Sequence, residues 1–96
     1  MNYWWVNQNQ THRQEVGGGY MWSPKLNSDG GYNHFYNNMT LVRPGDIVYS
    51  FFGTKIQYIG MITSCGYSYG KLDEFGSSGD YWNKDGWRVD VDYEKL

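Results

Sequence analysis

The sequence predicts a small, mostly β domain of the α+β type with one or two short helices. Residues 87–93 alternate apolar and polar side chains with the period of two that is typical of a half-buried strand. Residues 46–52 and 55–63 are dense in β-branched and aromatic side chains and are separated by residues 53–54, which predicts a hairpin. A chain of 96 residues with 40% hydrophobic content has room for one modest core, so we interpret 1–96 as one domain.

The first elements in chain order are a strand and a short helix. Residues 1–6 form an apolar strand in which two adjacent tryptophans point to opposite faces, so at least one indole is expected in the core. Thr11 is a candidate N-cap for a helix over residues 11–16, and the glycine run at 17–19 is expected to end this helix.

A second helix is predicted over residues 33–39. Asn33 is its candidate N-cap, and Phe35 and Met39 lie four residues apart on one face. In the last strand, Trp87 belongs to the apolar face and is expected in the core. Long glycine-rich loops are predicted over 26–32 and 67–85.

The composition restricts the partners of this domain. The formal net charge is −2, so the surface is not a general polyanion-binding surface, and nucleic-acid contact depends on a local basic patch and on stacking. Aromatic residues make up 20% of the chain, so some rings are expected to contact a ligand rather than the core. The sequence contains neither a signal peptide nor a long apolar span, which predicts a cytoplasmic protein with no membrane partner.

Motifs for catalysis are absent from the sequence. The single Cys65 excludes an internal disulfide and a multi-cysteine zinc site, and it is expected to be a buried thiol. His12 and His34 lie in different segments without cysteine or carboxylate partners at metal-ligand spacing, which excludes an HNH metal site and a zinc deaminase site. Neither a Gly-x-Ser-x-Gly elbow nor a P-loop occurs. We therefore expect no catalytic residue, no metal and no cofactor.

The most informative stretch is the segment 17–25, which follows the glycine run with an indole, a hydroxyl, a proline ring and an ammonium group. This combination predicts one wall of a pocket for a flat, partly apolar ligand beside an anionic group. Polar side chains that directly follow the first strand are predicted to lie at the rim of the same pocket. The residues concerned are Trp22, Ser23, Pro24 and Lys25 in the wall, and Asn7 and Gln8 at the rim.

The first strand with its polar continuation, together with segment 17–25, resembles the N-terminal part of EVE domains. These domains are relatives of the YTH and PUA domains that hold modified nucleobases, and the chain is most similar to those fused to HNH nucleases in modification-dependent restriction enzymes. The resemblance implies a strongly bent, PUA-like sheet that closes into a barrel flanked by short helices. A complete EVE domain continues beyond the point that corresponds to Leu96, so the resemblance also implies a shortened or partial domain. It is strongest over residues 3–11, 18–25, 44–52 and 59–64.

The resemblance also implies that the ligand is a 5-methylcytosine or 5-hydroxymethylcytosine flipped out of DNA, at a cost of a few kcal/mol. Trp22, Pro24 and Trp82 are predicted to sandwich the base, because stacking on an aromatic side chain contributes roughly 1–3 kcal/mol per base. Side chains suited to hydrogen-bond the base edge are Asn7, Gln8 and Ser23.

Basic residues near the predicted pocket are candidates for contacts to the phosphates that flank the flipped nucleotide. They are His12, Arg13 and Lys25. Because EVE domains of this kind direct HNH nucleases to modified DNA, the resemblance implies modified DNA as the ligand and an HNH nuclease domain, in the same or another chain, as the partner.

Two alternative functions remain open. Recognition of N6-methyladenine in DNA or RNA, as in YTH-like relatives, would use a similar aromatic cage. A structural or regulatory module without a nucleotide ligand would instead use Trp22 and Trp82 in a protein interface. For Trp22 a purely structural role, in which the ring pins the glycine run to the barrel, is a further alternative.

Overall fold

The computed structural model describes residues 1–8, 11–26, 38–76 and 84–96. Within them the chain is mostly β, as predicted, and forms a curled half-barrel sheet. The regular elements are β1 (Tyr3–Asn7), α1 (His12–Gly18), β2 (Tyr20–Pro24), a 3-10 turn (Asn38–Thr40), β3 (Ile47–Phe52), β4 (Lys55–Ile62), β5 (Tyr67–Ser68), a second 3-10 turn (Asp73–Phe75) and β6 (Gly86–Lys95).

The strands form one sheet in the order β1-β3-β4-β6-β2, and β5 also pairs with β6. β1 runs parallel to β3, and the other pairs are antiparallel. The first half of β6 pairs with β2 and β5, whereas its second half, 91–95, pairs with β4. β6 therefore belongs to both parts of the bent sheet and connects them.

The predicted hairpin and the predicted last strand are both confirmed. β3 and β4 are joined by Gly53 and Thr54, whose φ angles of 60° and 68° are left-handed, as a tight two-residue hairpin turn requires. The pairing register shifts between Ser50 and Phe51, which marks a β-bulge. The strand predicted at 87–93 is the centre of β6.

The main core lies on one face of the sheet. Trp4 packs against it while Trp5 on the opposite face is 67% exposed, which confirms that the two neighbouring indoles divide between core and solvent. Close packing of β4 on β6 depends on Gly60, because a side chain there would overlap Val91. The buried members of this core are Met21, Met39, Val42, Val48, Ile62, Val89 and Val91.

A second, smaller cluster lies on the other face of β2 and β6. It contains Tyr20, Trp22 and Phe75, with Leu72 packed against it. The Trp22 ring meets the Phe75 ring edge-on, with centroids 5.6 Å apart. The short 3-10 turn at Asp73–Phe75 therefore anchors the segment between β5 and β6 to the sheet.

The first predicted helix exists, but its ends differ in detail from the prediction. Thr11 occupies the N-cap position without a side-chain capping hydrogen bond. The helix includes Gly17 and Gly18 and ends at Gly19, whose φ of 75° is left-handed. Only the last glycine of the run therefore ends the helix.

The second predicted helix falls mostly outside the described residues, because Asn33 and Phe35 are not among them. The described end of that segment is a single 3-10 turn in which Met39 is buried. The loop predicted over 26–32 lies outside the description except for Leu26, and the loop predicted over 67–85 contains β5 and the second 3-10 turn. No helix among the residues with a described structure is long and apolar enough to cross a membrane.

Candidate functional site

The predicted pocket wall is a β-strand, and its side chains therefore point alternately to two faces. Trp22 pairs with Arg88 and Pro24 with Gly86, whereas Ser23 pairs with Trp87 on the opposite face. The four residues predicted to share one wall thus belong to two different surfaces.

Trp22 and Pro24 point to the same face of this strand, and both side chains are buried. Trp22 is 5% exposed, and its indole Nε1 donates a hydrogen bond of 2.7 Å to the carbonyl oxygen of Tyr69. A side chain at Gly86 would overlap the Trp22 indole, so the ring is packed directly on the neighbouring strand. Pro24 is buried as well. The prediction that these two rings sandwich a base does not fit this arrangement, because neither ring has a face open to a ligand.

The opposite face of the same strands carries a different aromatic residue. Trp87 is half-buried, and its neighbours across the sheet are Ser23 on β2 and Ser68 on β5. The side chain of Lys25 crosses the indole, with Nζ 4.3 Å from the ring centroid and 2.7 Å from Ser68 Oγ. We call the group Ser23, Lys25, Ser68 and Trp87 the Trp87 surface.

The Trp87 surface contains one polar atom that needs a partner. Ser23 Oγ is buried and has no hydrogen-bond partner. Buried hydroxyl groups are normally hydrogen-bonded, since leaving one unpaired costs about 1–3 kcal/mol. Ser23 Oγ would become available to a ligand only if a side chain that covers it, such as that of Lys25, moved away.

The cation over Trp87 is not an obstacle to a planar ligand. A cation–π contact at a solvent-accessible site contributes about 0.5–1 kcal/mol, whereas stacking a base on an aromatic ring contributes roughly 1–3 kcal/mol. By these magnitudes, a planar group stacked on Trp87 would offset the loss of the cation–π contact, although the hydrogen bond from Lys25 Nζ to Ser68 Oγ would be lost as well.

The two residues predicted at the pocket rim, Asn7 and Gln8, lie in different environments. Asn7 is exposed at the end of β1, but Gln8 is 2% exposed and forms the centre of a buried polar cluster. Its Nε2 donates to Glu15 Oε2 and, at 3.0 Å, to Tyr93 Oη, while its Oε1 accepts from Ser50 Oγ. Both amide hydrogens and the amide oxygen of Gln8 are thus used inside the protein. The predicted role of Gln8 at a ligand does not fit this position.

Glu15 connects helix α1 to the sheet in the same cluster. Its Oε1 accepts a hydrogen bond of 3.1 Å from the backbone N–H of Trp22, and Tyr93 Oη donates to the Tyr20 carbonyl at 3.0 Å. Burial raises the pKa of Glu15 to about 8, and the hydrogen bonds from Trp22, Gln8 and Thr11 offset only part of this rise. Burial, followed by the nearby Glu15 carboxyl, raises the pKa of Tyr93 well above its ordinary range.

The three predicted phosphate contacts do not form one patch. Lys25 belongs to the Trp87 surface, whereas His12 and Arg13 lie in α1. The His12 ring stacks on the Phe52 ring with centroids 3.9 Å apart and planes 11° apart, and its Nδ1 is buried without a hydrogen-bond partner. Arg13 is exposed. Lys25 and Arg13 remain candidates for phosphate contacts, while the ring of His12 is used in packing.

The remaining predictions for the site have mixed outcomes. Trp82 lies outside the described residues, so its place relative to Trp87 stays a prediction. Cys65 is exposed, and the prediction of a buried thiol is wrong because the residue lies in the irregular segment after β4 rather than within the strand. Within the ranges described above, no group of three or more His, Cys, Asp or Glu side chains could hold a metal ion.

A second set of aromatic and basic groups lies on the Trp22 side of the sheet. The Arg88 guanidinium is 4.4 Å from the centroid of the Tyr20 ring and 4.8 Å from that of Tyr69, and its Nε is 3.2 Å from Asp90 Oδ1. Tyr67 Oη donates to the same Asp90 oxygen at 2.9 Å. Partial burial and this hydrogen bond raise the pKa of Tyr67. Arg88 is therefore engaged in an internal ion pair.

Comparison with known proteins supports the fold alone. No protein-family model and no curated protein matches this chain. The chain is similar to the NMR structure of Rpa0253 from Rhodopseudomonas palustris, with 19% sequence identity and a TM-score of 0.52. The match covers 99% of this chain and 62% of that chain, so this chain spans less than two thirds of its structural neighbour.

Proposed function

We propose that this chain is a modification-sensing, nucleic-acid-binding module in which a flipped 5-methylcytosine or 5-hydroxymethylcytosine of DNA stacks on the Trp87 surface. The observation that supports this proposal is a half-buried indole flanked by a buried, unpartnered Ser23 hydroxyl and crossed by the Lys25 ammonium group. These groups match the aromatic face, the hydrogen-bonding group and the cation that a nucleotide needs.

In the proposed mechanism, the free-energy cost of flipping the base is offset by several small favourable contributions. Flipping the nucleotide costs a few kcal/mol, least for a base that is already weakly paired or single-stranded. Stacking on Trp87 offsets roughly 1–3 kcal/mol of this cost, and the hydrogen bond to Ser23 adds about 1 kcal/mol. Burying one methyl group adds about 0.8 kcal/mol, so the expected preference for the modified base is severalfold rather than absolute.

The resemblance to EVE domains supports the remaining parts of the proposal. In this view the chain has no catalytic activity of its own, acts in the cytoplasm and directs an HNH nuclease domain, in the same or another chain, to modified DNA. The segment containing Trp82 is proposed to supply a second aromatic face, because the sequence around that residue offers little apolar material to bury it locally.

The test is a binding titration with labelled oligonucleotides that differ by one modified base, carried out at low salt and followed by fluorescence anisotropy. The duplexes carry cytosine, 5-methylcytosine, 5-hydroxymethylcytosine or N6-methyladenine at one position. We expect the modified cytosines to bind severalfold more tightly. Trp87→Ala should abolish this preference, while Trp5→Ala, on the outer surface of the sheet, should leave it unchanged.

Other outcomes of the titration would contradict particular parts of the proposed function. A preference for N6-methyladenine would support the alternative reader function. A preference lost in Trp82→Ala but kept in Trp87→Ala would move the stacking site away from the Trp87 surface. Equal binding of all four duplexes by the folded protein would contradict base sensing itself.

A further inference from the structure

The face of β1, β3 and β4 that points away from the main core carries a strip of apolar side chains. Along β1, β3 and β4, outward-facing residues alternate with buried ones such as Val48, Ser50 and Ile62. The outward residues lie opposite one another across the ladders, for example Trp5 opposite Tyr49. We call this strip the outer face; its members are Tyr3, Trp5, Ile47, Tyr49, Phe51, Ile56, Ile59 and Met61.

Several apolar side chains of the outer face are largely exposed to solvent. Tyr3 is 65% exposed, Trp5 67%, Met61 51% and Ile56 40%. The rings contact one another rather than the core: Tyr3 stacks on Tyr49 with centroids 6.3 Å apart, and Trp5 packs against Phe51 at 5.3 Å. A contiguous apolar patch spanning three strands is characteristic of an interaction site, whereas single exposed apolar residues are not.

The charged side chains of β6 that pair directly with outer-face residues of β4 are acidic. On β6, Asp92 lies opposite Met61 and Glu94 opposite Ile59, so both carboxylates border the strip, and both are exposed. The lysines of β4 and β6 belong to the other face by register, because Lys55 pairs with Phe52 and Lys95 with Tyr58. In these four strands, the outer face thus combines aromatic and aliphatic groups with an acidic border.

We propose that the outer face docks a protein partner whose apolar side chains are flanked by Lys or Arg. An apolar surface binds the apolar side chains of a partner, and the acidic border selects a partner with adjacent cations. An amphipathic helix with a basic margin has this chemistry.

Two other occupants fit the charges less well. Single-stranded nucleic acid stacks on exposed rings, but its phosphates need a cationic groove, and Asp92 and Glu94 would repel them. A second copy of this chain, docked by a two-fold axis, presents the same acidic border, so the carboxylates of Asp92 and Glu94 would lie on both sides of the interface. The outer face also differs from the Trp87 surface, so a protein partner and a nucleotide can be bound together.

The test uses two synthetic helical peptides with identical Leu positions, one with Lys and Arg beside the Leu stripe and one with Glu at those positions. Binding is measured by isothermal titration calorimetry, and the contact surface by backbone amide shifts in NMR spectra. We expect the basic peptide to bind at least about tenfold more tightly than the acidic one. Its contacts should shift the amides of β1 and β3.

Variants separate the contributions of charge and apolar surface. Asp92→Lys combined with Glu94→Lys should reverse the peptide preference, and Trp5→Ser should weaken binding of both peptides. A matched control, Asp73→Lys combined with Asp85→Lys, makes the same change in net charge at exposed positions away from the outer face and should leave the preference unchanged. Near-UV circular dichroism verifies that each variant is folded.

Three results would overturn the proposal. The first is equal or absent binding of the two peptides to the folded protein. The second is binding of single-stranded oligothymidine that is lost in Trp5→Ser, which would assign the outer face to nucleic acid. The third is a concentration-dependent dimer, measured by analytical ultracentrifugation, that Trp5→Ser converts to monomer.

Discussion

Neighbouring side chains in β2 point to opposite faces of the sheet, although the sequence predicts that they line one pocket. Trp22 fills the smaller hydrophobic cluster, and Ser23 faces the Trp87 surface. The sequence signal for Trp87 was its place in an alternating strand, which correctly indicates contact with the core. It could not indicate that Lys25, which follows β2 and is far away in the chain, would cross the indole.

Glu15 is the residue whose titration has the clearest consequence for stability. Its pKa in the folded protein is about 8 against an ordinary value of 4.5, because the carboxyl group is buried. The folded state therefore holds a proton that the unfolded chain releases above about pH 4.5. The contribution of Glu15 to stability should be largest below that pH and should fall as the pH rises toward 8, by up to about 1.4 kcal/mol per pH unit.

We predict that Glu15→Gln removes this pH dependence and also lowers the stability at pH 5 by about 1–3 kcal/mol. The cost arises because the amide NH2 group of glutamine only donates, whereas the hydroxyl oxygen of the protonated Glu15 carboxyl can also accept, and the Trp22 N–H and Gln8 Nε2 both donate to this side chain. Urea unfolding at several pH values between 5 and 8 measures both effects.

The matched control is Val16→Ala in the same helix, which should lower the stability similarly at every pH and keep the slope. A variant Glu15→Gln that keeps the wild-type slope would show that another group causes it.

Individual elements were predictable where the information is local. The hairpin of β3 and β4 and the alternation in β6 depend on neighbouring residues, and both were predicted correctly. The strand β2 is not predictable in this way, because its pairing partner is residues 86–90, far along the chain. The parallel pairing of β1 with β3 likewise depends on distant residues.

The end of helix α1 leads to a prediction about two glycine substitutions. Gly17 lies within the helix, and a methyl group there would meet open space, so Gly17→Ala should stabilise the protein by about 0.5–1 kcal/mol. Gly19 has a φ of 75° and its N–H bonds back to the last turn, so Gly19→Ala should destabilise the protein by about 1 kcal/mol. Thermal or urea unfolding of the two variants measures the difference. Equal effects at both positions would contradict the assigned helix end.

At the scale of the whole molecule, β6 determines cooperativity. Its first half pairs with β2 and β5 and its second half with β4, and Val89 and Val91 lie in the main core. Neither part of the bent sheet can lose β6 without losing its own core packing. The molecule should therefore unfold in one step.

We predict that Val89→Ala, at a fully buried position, lowers the free energy of unfolding by about 2 kcal/mol. Tryptophan fluorescence and far-UV circular dichroism should report the same transition, in the variant as in the wild type. Two separate transitions would mean that the two parts of the sheet are stable independently.

The pairing of β2 with β6 also has a consequence for how the chain folds during synthesis. Residues 20–24 meet residues 86–90, so these partners are separated by roughly sixty to seventy residues. At about 5–20 residues per second, translation of the intervening segment takes on the order of several seconds. During that interval β2 has no β6 to pair with, and the smaller hydrophobic cluster stays unprotected on the ribosome. Folding of this domain is therefore expected to begin only once β6 has left the exit tunnel, and chaperones that bind apolar nascent segments should shield Tyr20 and Trp22 until then.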